Sequence, residues 1–135
     1  MVVDASAMLP TVLEDESDSQ SDQLLDRVVT RGAHAPSIWA HEVANAVLVA
    51  ARRRRIAEHD VGRVFENLHA LDVVLHEATL ERVAGPIRHV AQSHGLTIYD
   101  ASYLDLAVRL QLPLATRDVA LQAAARVTGV ELILA

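Results

Sequence analysis

The sequence predicts an α/β fold, a three-layer α/β/α sandwich whose central sheet is mainly parallel. Residues 1–135 form it as one domain. Three observations predict it. Short apolar runs alternate with longer stretches whose apolar residues recur at helical spacing. Strands separated by helices in this way pair in parallel and are covered on both faces. Ala, Val and Leu dominate while aromatic residues make up only 3%, which suits small helices packed on a β-branched sheet.

Val2-Val3 is a very short first strand, and Asp4-Ala5-Ser6 turns from it into a helix. Pro10 makes that helix irregular or restarts it, because its ring opposes the carbonyl four residues earlier. Ser19 to Val29 forms a second helix with Leu24, Leu25 and Val28 inward; Gly32 ends it, and Ala33 to Pro36 is a brief strand. Pro36-Ser37 begins the next helix, with Ser37 as its N-cap, and the helix runs to about Arg53. Val43, Ala46, Val47 and Ala50 mark its inner face. Ile38, Glu42, Asn45 and Val49 form a stripe beside it, so the polar pair Glu42 and Asn45 points to a pocket or polar network. A helix over His59 to Ala70 and a strand over Asp72 to Leu75 follow. Ala78 to Ser93 is helical with a break or bend at Gly85-Pro86, and Gly95 closes it. Asp100 to Leu110 is a helix, Leu112 to Thr116 a strand, Val119 to Val127 a helix and Glu131 to Leu134 a final strand.

Bulk properties narrow the function. The chain has 51% apolar and 22% charged residues, the balance of a folded domain. It has no cysteine, so disulfides and thiolate metal sites are excluded, which fits a cytoplasmic location. The apolar stretch on the Glu42 helix, Ala46 to Ala51, falls far short of the roughly 20 residues that span a bilayer. No basic region precedes an apolar core at the N-terminus, so neither a signal peptide nor a membrane partner is expected. Net charge is −6, which argues against holding nucleic acid by global positive charge. A local arginine patch or a bound cation can still supply the field. Glu14, Asp15, Glu16, Asp18 and Asp22 read most simply as a solvated acidic loop.

Four carboxylates sit where such a fold brings its strand ends together. Asp4 follows the first strand, Glu42 lies on a helix, Asp100 opens another, and Asp118 follows Leu112-Pro113-Leu114-Ala115. Open parallel sheets bind ligands outside the carboxyl ends of their strands. Acids gathered there repel unless a cation or shared protons neutralise them, and an all-oxygen set suits hard ions such as Mg²⁺ or Mn²⁺. Other chemistries fail on the residues. His41-Glu42-Val43-Ala44-Asn45 lacks the second histidine of a zinc-protease helix. No glycine-rich phosphate loop follows a strand. Phosphoaspartate receivers and aspartate-nucleophile phosphatases both want a lysine, and all twelve basic residues here are arginine; Ser6 also stands where the phosphatase motif needs a second Asp.

Val3-Asp4-Ala5-Ser6, His41-Glu42-Val43-Ala44-Asn45-Ala46, Leu96-Thr97-Ile98-Tyr99-Asp100-Ala101-Ser102-Tyr103 and Leu114-Ala115-Thr116-Arg117-Asp118, then Leu121 and Gly129, resemble the PIN-domain ribonucleases. Within these the chain looks most like the VapC toxins of bacterial toxin–antitoxin pairs. The resemblance covers essentially the whole chain, with the blocks in family order and spacing. It implies a PIN-like sandwich and a Mg²⁺- or Mn²⁺-dependent endoribonuclease, with Asp4, Glu42, Asp100 and Asp118 as the acidic, metal-holding site. Ser6 and Thr116 match positions that support the pocket by hydrogen bonding. It also implies an RNA substrate with structure, inhibition by a small cognate antitoxin, and a homodimer.

Each residue has a plainer role to weigh. Asp4, Asp100 and Asp118 could be N-caps of their helices. Asn45, one turn from Glu42, either orients that carboxylate or satisfies backbone groups. Asp105, five residues beyond Asp100, points about 140° away from it. Arg52 and Arg53 either end a solvated helix, where cations suit the dipole, or contact RNA phosphates or the antitoxin. Arg117 is a candidate for substrate phosphate, and Trp39 a packing or dimer residue. The rival from another class is a non-catalytic PIN-like module whose acids hold a metal or a partner without turnover.

Overall fold

The computed structural model describes residues 1–133, and its five strands form one sheet in the order β3-β2-β1-β4-β5. These are β1 (Val2–Val3), β2 (His34–Pro36), β3 (Val74–His76), β4 (Leu114–Ala115) and β5 (Leu132–Ile133). Every pairing is parallel, with Val2 opposite both His34 and Leu114. The central strand is only two residues long, and both of its neighbours pair with it. Val2 and Val3 are fully buried, as are Ala35, Leu114 and Ala115 on the neighbouring strands. The chain leaves β1 toward β2 and later returns to β4 on the other side. The strand order therefore reverses at β1, whose carboxyl end is the usual ligand position in such sheets.

Helices cover the sheet: α1 (Ala5–Met8), α2 (Ser19–Arg31), α3 (Ile38–Arg52), α4 (Val61–Ala70), α5 (Leu80–Arg82), α6 (Arg88–His94), α7 (Ile98–Leu110) and α8 (Val119–Thr128). Helix α7 packs against β1, β2 and β4. Its residues Ala101 to Ala107 are all buried, including the polar Ser102 and Asp105. A helix apolar on most sides belongs inside, which is where α7 lies. Trp39 is a packing residue, 6% exposed, in the same core as Val43, Val64 and Leu68. Among the described residues no helix is long and apolar enough to cross a membrane.

Several boundaries differ from the sequence expectation, each for a local reason. Pro10 sits in a 3₁₀ turn, Leu9–Thr11, that continues α1 without needing its missing N–H. Ser37 occupies the N-cap position of α3, but its backbone is already helical and its side chain makes no capping bond. Asp72 has a left-handed φ of 52°, so the turn absorbs it and β3 starts two residues later, at Val74. A 3₁₀ turn over Glu58–Asp60 leads into α4. Pro86 does not break its helix, because a π turn over Val83–Ile87 widens the ladder around it. Helix α7 starts at Ile98, not Asp100, because the Thr97 hydroxyl caps it by accepting the Asp100 N–H at 3.1 Å. Strand β4 is confined to Leu114–Ala115 and β5 to Leu132–Ile133; Leu134 lies outside the described residues.

The β2–β3 edge carries a histidine pair, His34 Nδ1 and His76 Nε2, 2.9 Å apart. Burial first, then the charge of His76 and of the amino terminus, hold His34 below its ordinary value of 6.5. The unfolded chain therefore takes up this proton before the fold does. Stability from His34 is complete above about pH 6.5 and is lost as the pH falls from there toward the lowered value. Urea midpoints at pH 7.5 and 5.5 should differ more for the native chain than for His34→Gln; equal differences would refute the assignment.

Candidate active site

Each sequence-expected acid is carried to the carboxyl edge of the sheet by a different element. Asp4 directly follows β1, and its N–H donates to the Ala115 carbonyl at 2.9 Å, extending the β1–β4 ladder by one step. It is 5% exposed. Glu42 lies one turn into α3, Asp100 in the first turn of α7, and Asp118 at the N-cap of α8. Glu42 lies within electrostatic reach of Asp4 and Asp100, and Asp100 within reach of Asp118 and Asp4. The four therefore share one neighbourhood.

A hydroxyl network fixes this neighbourhood. Asp4 Oδ2 accepts from Ser6 Oγ at 2.6 Å and from Thr116 Oγ1 at 2.7 Å. Ser6 Oγ in turn accepts the Arg117 N–H at 2.9 Å, and Thr116 Oγ1 the Asp118 N–H at 3.1 Å. Each hydroxyl has one proton, already given to Asp4, so the 3.4 Å approach of the two hydroxyl oxygens is a packing contact. Glu42 Oε1 accepts from the Tyr103 hydroxyl at 2.6 Å, and Asp118 Oδ1 caps α8 by accepting the Leu121 N–H at 2.7 Å. Asp118 thus caps its helix and lies among the four acids at once. Asp4 stands at the N-cap of α1 without capping it by its side chain. Among the described residues, the second oxygen of Asp4, Glu42 and Asp118 carries no hydrogen bond.

The electrostatics match a site short of positive charge. Burial raises the Glu42 carboxyl above its ordinary range; the Tyr103 hydroxyl opposes this, and Asp4 and Asp100 add to it. Asp100 is likewise raised by burial and by Asp118 and Asp4, against the pull of the Thr97 hydroxyl. Tyr103 is pushed far up, chiefly by burial, so its phenol stays a proton donor to Glu42. Among the described residues no three His, Cys, Asp or Glu side chains already form a ligand cage. The fit to a hard cation lies in the donors: carboxylates that repel one another, with one oxygen each left open.

The other expected residues divide. Ser6 and Thr116 are in the network. Asn45 is exposed and makes no side-chain hydrogen bond among the described residues, so the expected polar pair with Glu42 does not form. Arg52 and Arg53 are exposed at the end of α3, about 15 Å along the axis from Glu42. Arg117 is engaged by Asp18, at 2.8 and 2.7 Å. The acidic segment is not a free solvated loop either, since Asp15 and Glu16 pair with Arg55. Asp105 faces Arg82 and Arg109, away from the acids. From the sequence Tyr103 had no role of its own, although its hydroxyl reaches Glu42. Its position three residues after Asp100, on the same helix face, was the available signal.

A PIN domain family model matches residues 1–127. Ribonuclease VapC3 of Pyrobaculum aerophilum is 30% identical over 118 residues, covering 87% of this chain and 88% of that protein. Ribonuclease VapC9 of Mycobacterium tuberculosis is 31% identical over 122 residues, covering 90% and 87%. Among solved structures, PAE2754 from Pyrobaculum aerophilum superposes with a TM-score of 0.73 at 25% identity, covering 98% of this chain and 87% of that one. FitAcB from Neisseria gonorrhoeae gives 0.66 at 18% identity, covering 98% and 95%, a likeness of fold.

Proposed function

The chain belongs to the PIN-domain family, and from that premise we propose that it is a divalent-metal-dependent endoribonuclease, the toxin of a VapC-type toxin–antitoxin pair. It hydrolyses phosphodiester bonds in structured RNA and is neutralised by a small cognate antitoxin. The observation that supports this best is the set of half-occupied carboxylates: Asp4, Glu42 and Asp118 each have one oxygen held by a protein donor and one open. Together with Asp100 they would hold Mg²⁺ or Mn²⁺. Such an ion, when bound, acidifies water and offsets charge on the phosphodiester oxygens.

The protein's own residues do the positioning. Ser6 and Thr116 stop Asp4 from rotating, and Tyr103 holds Glu42 by a proton it does not release at neutral pH. The N-termini of α7 and α8, which carry Asp100 and Asp118, favour the negative charge of an approaching phosphate. Arg52 and Arg53 offer cations to flanking RNA phosphates or to the antitoxin, so attraction is local where the net charge is unfavourable. The toxin acts in the cytoplasm as a homodimer.

The test is cleavage of a structured RNA with Mg²⁺ or Mn²⁺, with EDTA, and after EDTA with excess Mn²⁺. New RNA ends should appear in the first and third reactions only. Cleavage undiminished by EDTA would defeat the metal-dependent reading. Mn²⁺ binding with no cleavage of any RNA would leave a non-catalytic PIN-like module.

A further inference from the structure

Asp18 ties two distant parts of the chain together. It caps α2 by accepting the Ser21 N–H at 2.8 Å, and the Ser21 hydroxyl accepts the Asp18 N–H at 2.9 Å. The same carboxylate takes two parallel bonds from Arg117, Nη1 to Oδ2 at 2.8 Å and Nη2 to Oδ1 at 2.7 Å. Arg117 sits between Thr116 and Asp118, and its backbone N–H bonds to Ser6 Oγ, which donates to Asp4. One residue thus touches the loop that carries an acid and the hydroxyl that steadies another. The side chains are 28% and 45% exposed, so the pair adds little to stability. Its bidentate geometry is directional, which is what alignment requires.

We propose that Asp18 and Arg117 are positioning residues for the acidic site. Their pair sets the path of the Thr116–Asp118 loop, and so places the Thr116 hydroxyl, the Asp118 carboxylate and, through Ser6, Asp4. Both terminal guanidinium nitrogens bond to Asp18, and Nε is buried with no partner among the described residues. The end-on fork of the guanidinium is therefore taken by Asp18, and burial keeps the unbonded Nε from meeting a substrate phosphate. The kinetic part of this inference rests on the ribonuclease reading; its structural part does not.

The test compares Asp18→Asn, Arg117→Gln and the double variant with the native chain. Asn still caps a helix, so Asp18→Asn removes the ion pair while keeping the cap. Three measurements are made: kcat and KM on RNA, Mn²⁺ affinity by calorimetry, and the Asp118 amide proton shift, which reports its bond to Thr116. Each single variant should lower kcat about tenfold, as losses outside a ligand shell do, with KM within about twofold. Mn²⁺ affinity should fall similarly, the Asp118 amide should move, and the double variant should be no worse than either single one. A raised KM in Arg117→Gln with Asp18→Asn silent would make Arg117 a phosphate contact and overturn the proposal; additive losses would overturn it too. If the native chain binds Mn²⁺ but cuts nothing, the ribonuclease reading fails while Mn²⁺ affinity and the amide still score the pair. If it binds no Mn²⁺ either, an unmoved Asp118 amide overturns the pair by itself.

Discussion

Asp100→Asn should abolish RNA cleavage and at the same time raise the melting temperature of the metal-free protein. The two effects have one cause. Asp100 sits against Asp118 and Asp4 with no arginine or lysine among the influences that set its ionisation, and burial and like charge raise its carboxyl. Between the ordinary carboxylate value and that raised one, the fold binds more protons than the unfolded chain. Stability therefore falls as the pH rises through that window. Asn removes the repelling charge at nearly the same volume and keeps the backbone N–H that Thr97 caps. Activity should drop by more than the roughly 10–100-fold typical of losses outside the ligand shell. Mn²⁺ should raise the melting temperature of the native chain and barely move that of the variant, since only binding to the fold stabilises it. Metal-dependent cleavage retained at the native rate, or a lower melting temperature without metal, would count against the acid site. Asp4→Asn should also abolish cleavage, because its carbonyl can keep the two hydroxyl bonds while the open oxygen is lost.

Asp105→Ala should destabilise the protein by about 2 kcal/mol. The carboxylate is 6% exposed and takes two bonds from Arg82, at 3.2 and 2.8 Å, and one from Arg109 at 3.0 Å. Removing one member of a buried ion pair typically costs about 3–5 kcal/mol, because the remaining charge is stranded. Here both arginine side chains are about a third exposed and can turn to water, which lowers the cost. The contact also joins α5 to α7, the central helix. Urea unfolding should show the loss, with Mn²⁺ affinity of the folded fraction unchanged. A change under about 0.5 kcal/mol would mean that water already compensates the pair.

Much of the fold was legible because the periodicities were clean. Val2-Val3, the helices read over Ser19 to Val29 and Val119 to Val127 and observed to end at Arg31 and Thr128, and the disturbance at Pro86 all follow from residue type. Boundaries were less legible where capping decided them. Thr97-Ile98-Tyr99-Asp100 contains a cap that starts α7 two residues earlier than its apolar run suggested. The acids stood out because so many carboxylates at strand ends need a shared reason. Tyr103 did not, since a tyrosine among leucines looks like core until its hydroxyl is seen to reach Glu42 across 61 positions. The acidic segment misled for the opposite reason: charge in a row reads as solvated, and its arginine partners lie 40 and 99 positions away.

By itself the sequence determined the alternation of strands and helices, the family pattern and which acids stand where the strand ends gather. These depend on local periodicity and residue type, which a linear chain displays. Only the tertiary structure decided which oxygen of each acid is occupied, that Asn45 stands apart, and that Arg117 is held by Asp18. Hydrogen bonds and ion pairs act over about 3 Å, and separation along the chain carries no record of which side chains come that close.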